Sequence, residues 1–122
     1  MGCHVDASWL IALLDPTSPH HQEARTQLEH LTQQPALSAL TLAQILPGLQ
    51  SNSIELTKQI TKTFAPVIEV NLDIATKSAQ LSSRYEVTFS EAVVLASAFV
   101  HGAKLLTFDK RISSVMDHWY DL

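Results

Sequence analysis

Apolar positions along the chain alternate between short continuous runs and stripes at helical spacing. Residues 3–5 form a brief apolar run ending on Asp6, the pattern of a short strand. Residues 7–14 are apolar on nearly every side, as a buried helix is. Asp15-Pro16-Thr17-Ser18-Pro19 is a turn. Over residues 20–33, Ala24, Leu28 and Leu31 recur at helical spacing among polar neighbours, which predicts an amphipathic surface helix. Residues 35–39 read as a second strand. Thr41 opens another helix, which Pro47-Gly48 kinks or ends. Residues 53–64 predict a further helix.

A third strand is predicted over 66–70 and a helix over 73–85, with Ile74, Ala75, Ala79 and Leu81 pointing inward. Residues 91–101 are apolar almost all round, so this helix is central, and Gly102 caps it. Residues 104–108 predict a fourth strand ending at Asp109. Residues 110–116 predict a short helix, and His118-Trp119-Tyr120 a weak edge strand. Strands separated by helices imply an α/β fold, a short parallel sheet with helices on both faces. The absence of a repeat, linker or low-complexity stretch makes residues 1–122 one domain.

Composition narrows the function. A 46% hydrophobic and 16% charged chain is a folded globule. A formal net charge of −4 supplies no global basic field, so any nucleic-acid contact must be local. One cysteine, Cys3, rules out an internal disulfide, and its apolar run makes it a small core residue. Met1 is followed by neither a basic region nor a long apolar stretch. The longest apolar run, residues 92–100, is too short to span a bilayer. A cytoplasmic protein with no membrane association is the expectation. Three glycines leave no room for a phosphate-cradling or dinucleotide loop.

The chemistry gathers on carboxylates. In open parallel sheets, ligands bind beyond the carboxyl ends of the strands. Asp6 and Asp109 each follow a predicted strand, where an unpaired carboxylate is costly and a hard divalent cation is its simplest partner. Each also has a purely structural account, as an N-cap of the next helix. Thr88-Phe89-Ser90-Glu91 and Thr41-Leu42-Ala43-Gln44 both spell a capping box, which accounts for Glu91 and Gln44 without any metal. His20, His21 and His30 lack zinc-helix spacing and read as solvated. His4 shares strand parity with Asp6 and reads as a satisfied buried histidine.

Taken in order, these pieces resemble the PIN domain found in the toxin nucleases of bacterial toxin–antitoxin pairs. Val5-Asp6-Ala7-Ser8, the stretch from Ser38 to Leu46, Ser90-Glu91-Ala92-Val93 and the stretch from Gly102 to Asp109 resemble its four motifs. The resemblance implies a three-layer α/β/α domain and a Mg²⁺- or Mn²⁺-dependent ribonuclease. It implies Asp6, Glu91 and Asp109 as catalytic metal ligands, with Ser8 and Thr107 orienting them. Lys104 and Lys110 would contact RNA phosphates, whereas Arg111 reads as solvated surface charge. Gln44 stands where the family has glutamate, and Glu91 where it has aspartate. Both departures imply a weakened site, or a catalytically silent module that binds RNA or a protein partner. A homodimer and an inhibitory antitoxin partner are further implications. A phospho-acceptor receiver domain is a third option, but Asp6 lacks the acidic neighbour that chemistry uses.

Overall fold

A computed structural model describes residues 2–49 and 53–118. Four parallel strands form one sheet in the order β3-β2-β1-β4. They are β1 (Cys3–Val5), β2 (Ala36–Ser38), β3 (Val67–Ile68) and β4 (Lys104–Leu106). His4 sits beside Ala36 on one side and Leu105 on the other. Among the described residues, seven helices connect and flank the strands. They are α1 (Ala7–Leu14), α2 (His21–Glu29), α3 (Ala39–Ile45), α4 (Ser53–Thr63), α5 (Leu72–Arg84), α6 (Phe89–Val100) and α7 (Lys110–Asp117), with a 3-10 turn at Leu46–Gly48.

Side-chain alternation along the strands divides the core into two halves. Val5 and Leu37 pack with Trp9, Leu10, Ile45, Ile60 and Phe64 of α1, α3 and α4 and the loop after it. Leu105 packs with Ile74, Leu81, Ile112 and the buried run from Ala92 to Ala98, on α5, α6 and α7. Helices therefore cover both faces, as predicted. Each fully buried aliphatic side chain here contributes roughly 1.5–3 kcal/mol, so α6 is the chief anchor of its layer. Gly102, at φ 59°, reverses the chain after α6, and the Ala103 N–H donates to the Ala98 carbonyl at 2.9 Å.

Several predicted boundaries differ, and three of the differences have a local cause. β3 covers two residues, not five. It lies at the sheet edge with β2 as its partner, and β2 turns into α3 at Ser38, so Glu69 and Val70 have no strand to pair with. α2 stops at Glu29 because the last turn tightens: the N–H groups of His30 and Leu31 reach back only three residues, to Gln27 and Leu28. α3 begins before Thr41. Ser38 is its N-cap, with Oγ accepting from the Leu40 N–H at 3.1 Å, so the Thr41–Gln44 capping box does not form. His118 caps the C-terminus of α7; the rest of the predicted edge strand, Trp119-Tyr120, lies outside the described residues.

Candidate active site

β1 and β4 are adjacent, so their carboxyl ends bring Asp6 and Asp109 to one edge of the sheet. Each aspartate also caps a helix. The Trp9 N–H donates to Asp6 Oδ1 at 2.9 Å, and the Arg111 N–H donates to Asp109 Oδ1 at 2.8 Å. The structural and functional accounts of these residues are therefore compatible: capping uses one oxygen and orients the other.

Asp6 is 3% exposed, so its charge must be met locally. Ser8 Oγ donates to Oδ1 at 2.7 Å, and the Thr107 hydroxyl donates to Oδ2 in a short hydrogen bond. Both hydroxyls are held in turn. Ser8 Oγ accepts from the Phe108 N–H at 3.0 Å, and Thr107 Oγ1 accepts from the Asp109 N–H at 3.0 Å. The two β4-side backbone donors thus orient the two hydroxyls, and the hydroxyls orient the carboxylate. Burial pushes the Asp6 carboxyl above its ordinary range; its three hydrogen bonds pull the other way, and nearby Asp109 adds a smaller upward push.

A cleft of about 210 Å³ opens beside this network. Asp6, Ser8, Gln44, Glu91 and Asp109 line it, with Thr88 and Ser90 at the start of α6. Glu91 is the third acid on its wall, but its oxygens are engaged. Oε1 accepts from the Thr88 N–H at 2.8 Å, completing the predicted capping box, and Oε2 lies 3.3 Å from the Arg111 guanidinium. Lys110 is exposed on the first turn of α7. Lys104 is not brought to the cleft. It begins β4 beside Cys3, at the amino end of the sheet, and at ~3.3 Å per residue the strand sets it back by about 10 Å.

The histidines match the expectation in part: His20 and His30 are exposed, as read from the sequence, whereas His21 is half-buried. His20 stacks on Phe108 with ring centroids 4.4 Å apart, and His21 Nδ1 is 2.9 Å from the Ala12 carbonyl. His4 is buried, but its Nδ1 has no hydrogen-bond partner among the described residues. Sequence patterns gave no hint of the Phe108 and Asp109 amides, which act through backbone geometry and leave no side-chain signature.

A divalent cation can be weighed against these donors. Among the described residues, no three His, Cys, Asp or Glu side chains converge as a ligand cluster. That donor set does not suit a closed four-ligand cage. Asp6 and Asp109 do suit Mg²⁺, which keeps several waters and is held by one or two carboxylates.

Solved structures share this architecture. A toxin–antitoxin complex from Klebsiella pneumoniae contains a chain 27% identical to this one, at a TM-score of 0.77, covering 91% of this chain and 88% of that one. FitAcB from Neisseria gonorrhoeae matches at 20% identity and a TM-score of 0.78, over 94% and 93% of the two chains. VapC20 of Mycobacterium tuberculosis, a toxin that cleaves the sarcin–ricin loop, matches at 17% and 0.78, over 93% and 95%. Comparison with curated proteins finds no match. The model of the PIN domain matches residues 4–117, a span that contains both strand-end aspartates and the whole cleft, and the chain belongs to the PIN domain family.

Proposed function

We propose that this PIN domain is a divalent-cation-dependent endoribonuclease, the toxin of a toxin–antitoxin pair, acting in the cytoplasm as a homodimer until an antitoxin protein binds it. The observation that carries the reading is Asp6: a carboxylate 3% exposed, gripped by three donors, and facing a cleft shared with Asp109. A carboxylate buried only to cap a helix gains nothing from a cleft. The solved relatives support the toxin assignment, since one is a toxin–antitoxin complex and another an RNA-cleaving toxin.

Asp6 and Asp109 would hold Mg²⁺ or Mn²⁺. The bound cation would supply an activated water and offset charge developing on the phosphodiester. Ser8 and Thr107 fix the orientation of Asp6, as partners of a ligating carboxylate do. Lys110, exposed one residue after Asp109, is placed to meet a backbone phosphate. Gln44 lines the cleft without adding charge, so this wall attracts a cation less than a glutamate would.

The test is cleavage of an unstructured RNA with Mn²⁺. Asp6→Asn is expected to lower the rate at least about a hundredfold, since losing even a hydrogen-bond partner of a metal ligand costs about 10–100-fold. Unchanged cleavage in that variant places the activity elsewhere. A second reading, a silent PIN module, is favoured by neutral Gln44 and by the engagement of Glu91. It predicts no cleavage by the wild type, and recovery of Mn²⁺ affinity in Gln44→Glu measured by calorimetry.

A further inference from the structure

We propose that Glu91 is a positioning residue that holds the Arg111 guanidinium at the cleft wall as a binding subsite for a backbone phosphate of single-stranded RNA. The inference rests on the nuclease reading and names how that site meets its substrate.

The ion pair is lopsided. The Glu91 side chain is 11% exposed and that of Arg111 62%. Glu91 is pinned from behind, because Oε1 is committed to the Thr88 N–H and Thr88 Oγ1 accepts from the Glu91 N–H at 3.2 Å. Its other oxygen meets one terminal nitrogen of Arg111 at 3.3 Å. A guanidinium carries five N–H donors in a rigid fork, and a single contact leaves most of that fork to solvent. The backbone of Arg111 is fixed as well, since its N–H caps Asp109. The cation is thus tethered at both ends of its side chain, next to a metal-type acid.

An ordinary surface pair holds two floppy chains together for little gain. Here one partner is immobile, so part of the ordering cost of the arginine is met before any ligand arrives. The setting also calls for a cation. The cleft is walled by Asp6, Glu91 and Asp109, and the chain carries a net charge of −4. A phosphodiester approaching that wall is repelled unless a local positive group receives it. Arginine suits the task, because its fork matches two phosphate oxygens. Glu91, engaged in this way, is a support for Arg111 and not a ligand of the cation.

The test measures RNA binding without metal or cleavage. Full-length Asp6→Asn protein in EDTA is titrated with a labelled unstructured oligoribonucleotide over a range of salt. Adding Arg111→Ala is expected to weaken binding about tenfold and to flatten the salt slope by about 0.7, the loss of one single-strand phosphate contact. Arg111→Lys restores part of the affinity and the slope. Glu91→Gln keeps the oxygen that accepts from Thr88, so the cap survives, but it releases Arg111. Binding is then expected to weaken about threefold with the slope retained. In the otherwise wild-type protein, Glu91→Gln leaves Mn²⁺ affinity by calorimetry within about twofold, because no ligand has been removed and the charge lost was already offset by Arg111, unlike the unpaired charge that Gln44→Glu adds. Lys104→Ala, at the far end of β4, changes neither quantity. RNA binding that is unaltered in Arg111→Ala overturns the inference and spares the nuclease reading. So does a collapse of Mn²⁺ affinity in Glu91→Gln, which makes Glu91 a ligand. Absence of RNA binding in the protein before Arg111 or Glu91 is changed overturns both.

Discussion

His4 on β1 and Asp6 just past its end stand two residues apart and are almost equally buried, at 5% and 3% exposure. The fold treats them in opposite ways. Asp6 receives three hydrogen bonds and faces a cleft. The His4 and His101 ring centroids lie 5.5 Å apart, and His4 Nδ1 has no hydrogen-bond partner among the described residues. The contrast extends further. The buried side-chain atoms left unpartnered among the described residues are His4 Nδ1, Thr41 Oγ1 and Ser97 Oγ, and none belongs to the Asp6 network. Burial of a polar group therefore does not mark the site in this molecule. The mark is burial together with a complete set of donors and an opening.

The contrast has a pH signature. Burial and the neighbouring His101 hold the His4 ring at a pKa of about 4, below its ordinary 6.5. Between those values the unfolded chain binds the proton and the folded chain does not. Stability is therefore full above pH 6.5 and falls as pH drops toward 4, by up to about 3 kcal/mol. Asp6 works in the other direction. Its carboxyl is raised, so its contribution is present below the ordinary carboxylate pKa and is lost as pH rises through the raised value. Urea denaturation at a series of pH values should show His4→Leu with a flattened acid limb, the largest effect of this set. Asp6→Asn should steepen that limb, because the opposing contribution is gone. Parallel acid limbs in wild type and His4→Leu would mean that His4 titrates normally.

Most of the fold was legible because the local signals agree. The all-apolar face pattern of residues 91–101 demands a buried helix, and α6 is one. The end of β1 before Asp6 follows from a hydrophobic run that stops on an acid, whereas β4 stops at Leu106, two residues short of its predicted end, and a loop carries the chain to Asp109. What escaped depends on long-range pairing. The capping-box pattern near α3 points to Thr41, yet the chain leaves β2 at Ser38, and Ser38 takes the N-cap position. Lys104 is five residues from Asp109 in the chain, yet an extended strand carries it to the other edge. The Glu91–Arg111 pair joins residues twenty apart through the packing of α6 against α7, which no local pattern encodes. In the site, the strand-end pattern points to Asp6 and the family resemblance to its hydroxyl partners, but the amides of Phe108 and Asp109 that aim those hydroxyls are a property of the loop after β4.

Two identical substitutions sharpen the comparison between partnered and unpartnered groups. Thr107→Val keeps the side-chain shape but strips Asp6 Oδ2 of its donor and the Asp109 N–H of its acceptor. Stranding a buried hydrogen-bonding partner costs about 1–3 kcal/mol, and more when that partner is charged. The loss should shrink toward acid pH, where Asp6 takes up its own proton. Thr41→Val removes a fully buried hydroxyl that has no partner among the described residues, so nothing there is stranded and a desolvated polar atom is replaced by a methyl. Its expected effect is the smallest, from neutral to a gain of about 1 kcal/mol. Denaturant midpoints at pH 7 compare the two directly. Equal losses would show that Thr41 has a partner in solution, and that the division between the two sets of buried polar groups does not hold.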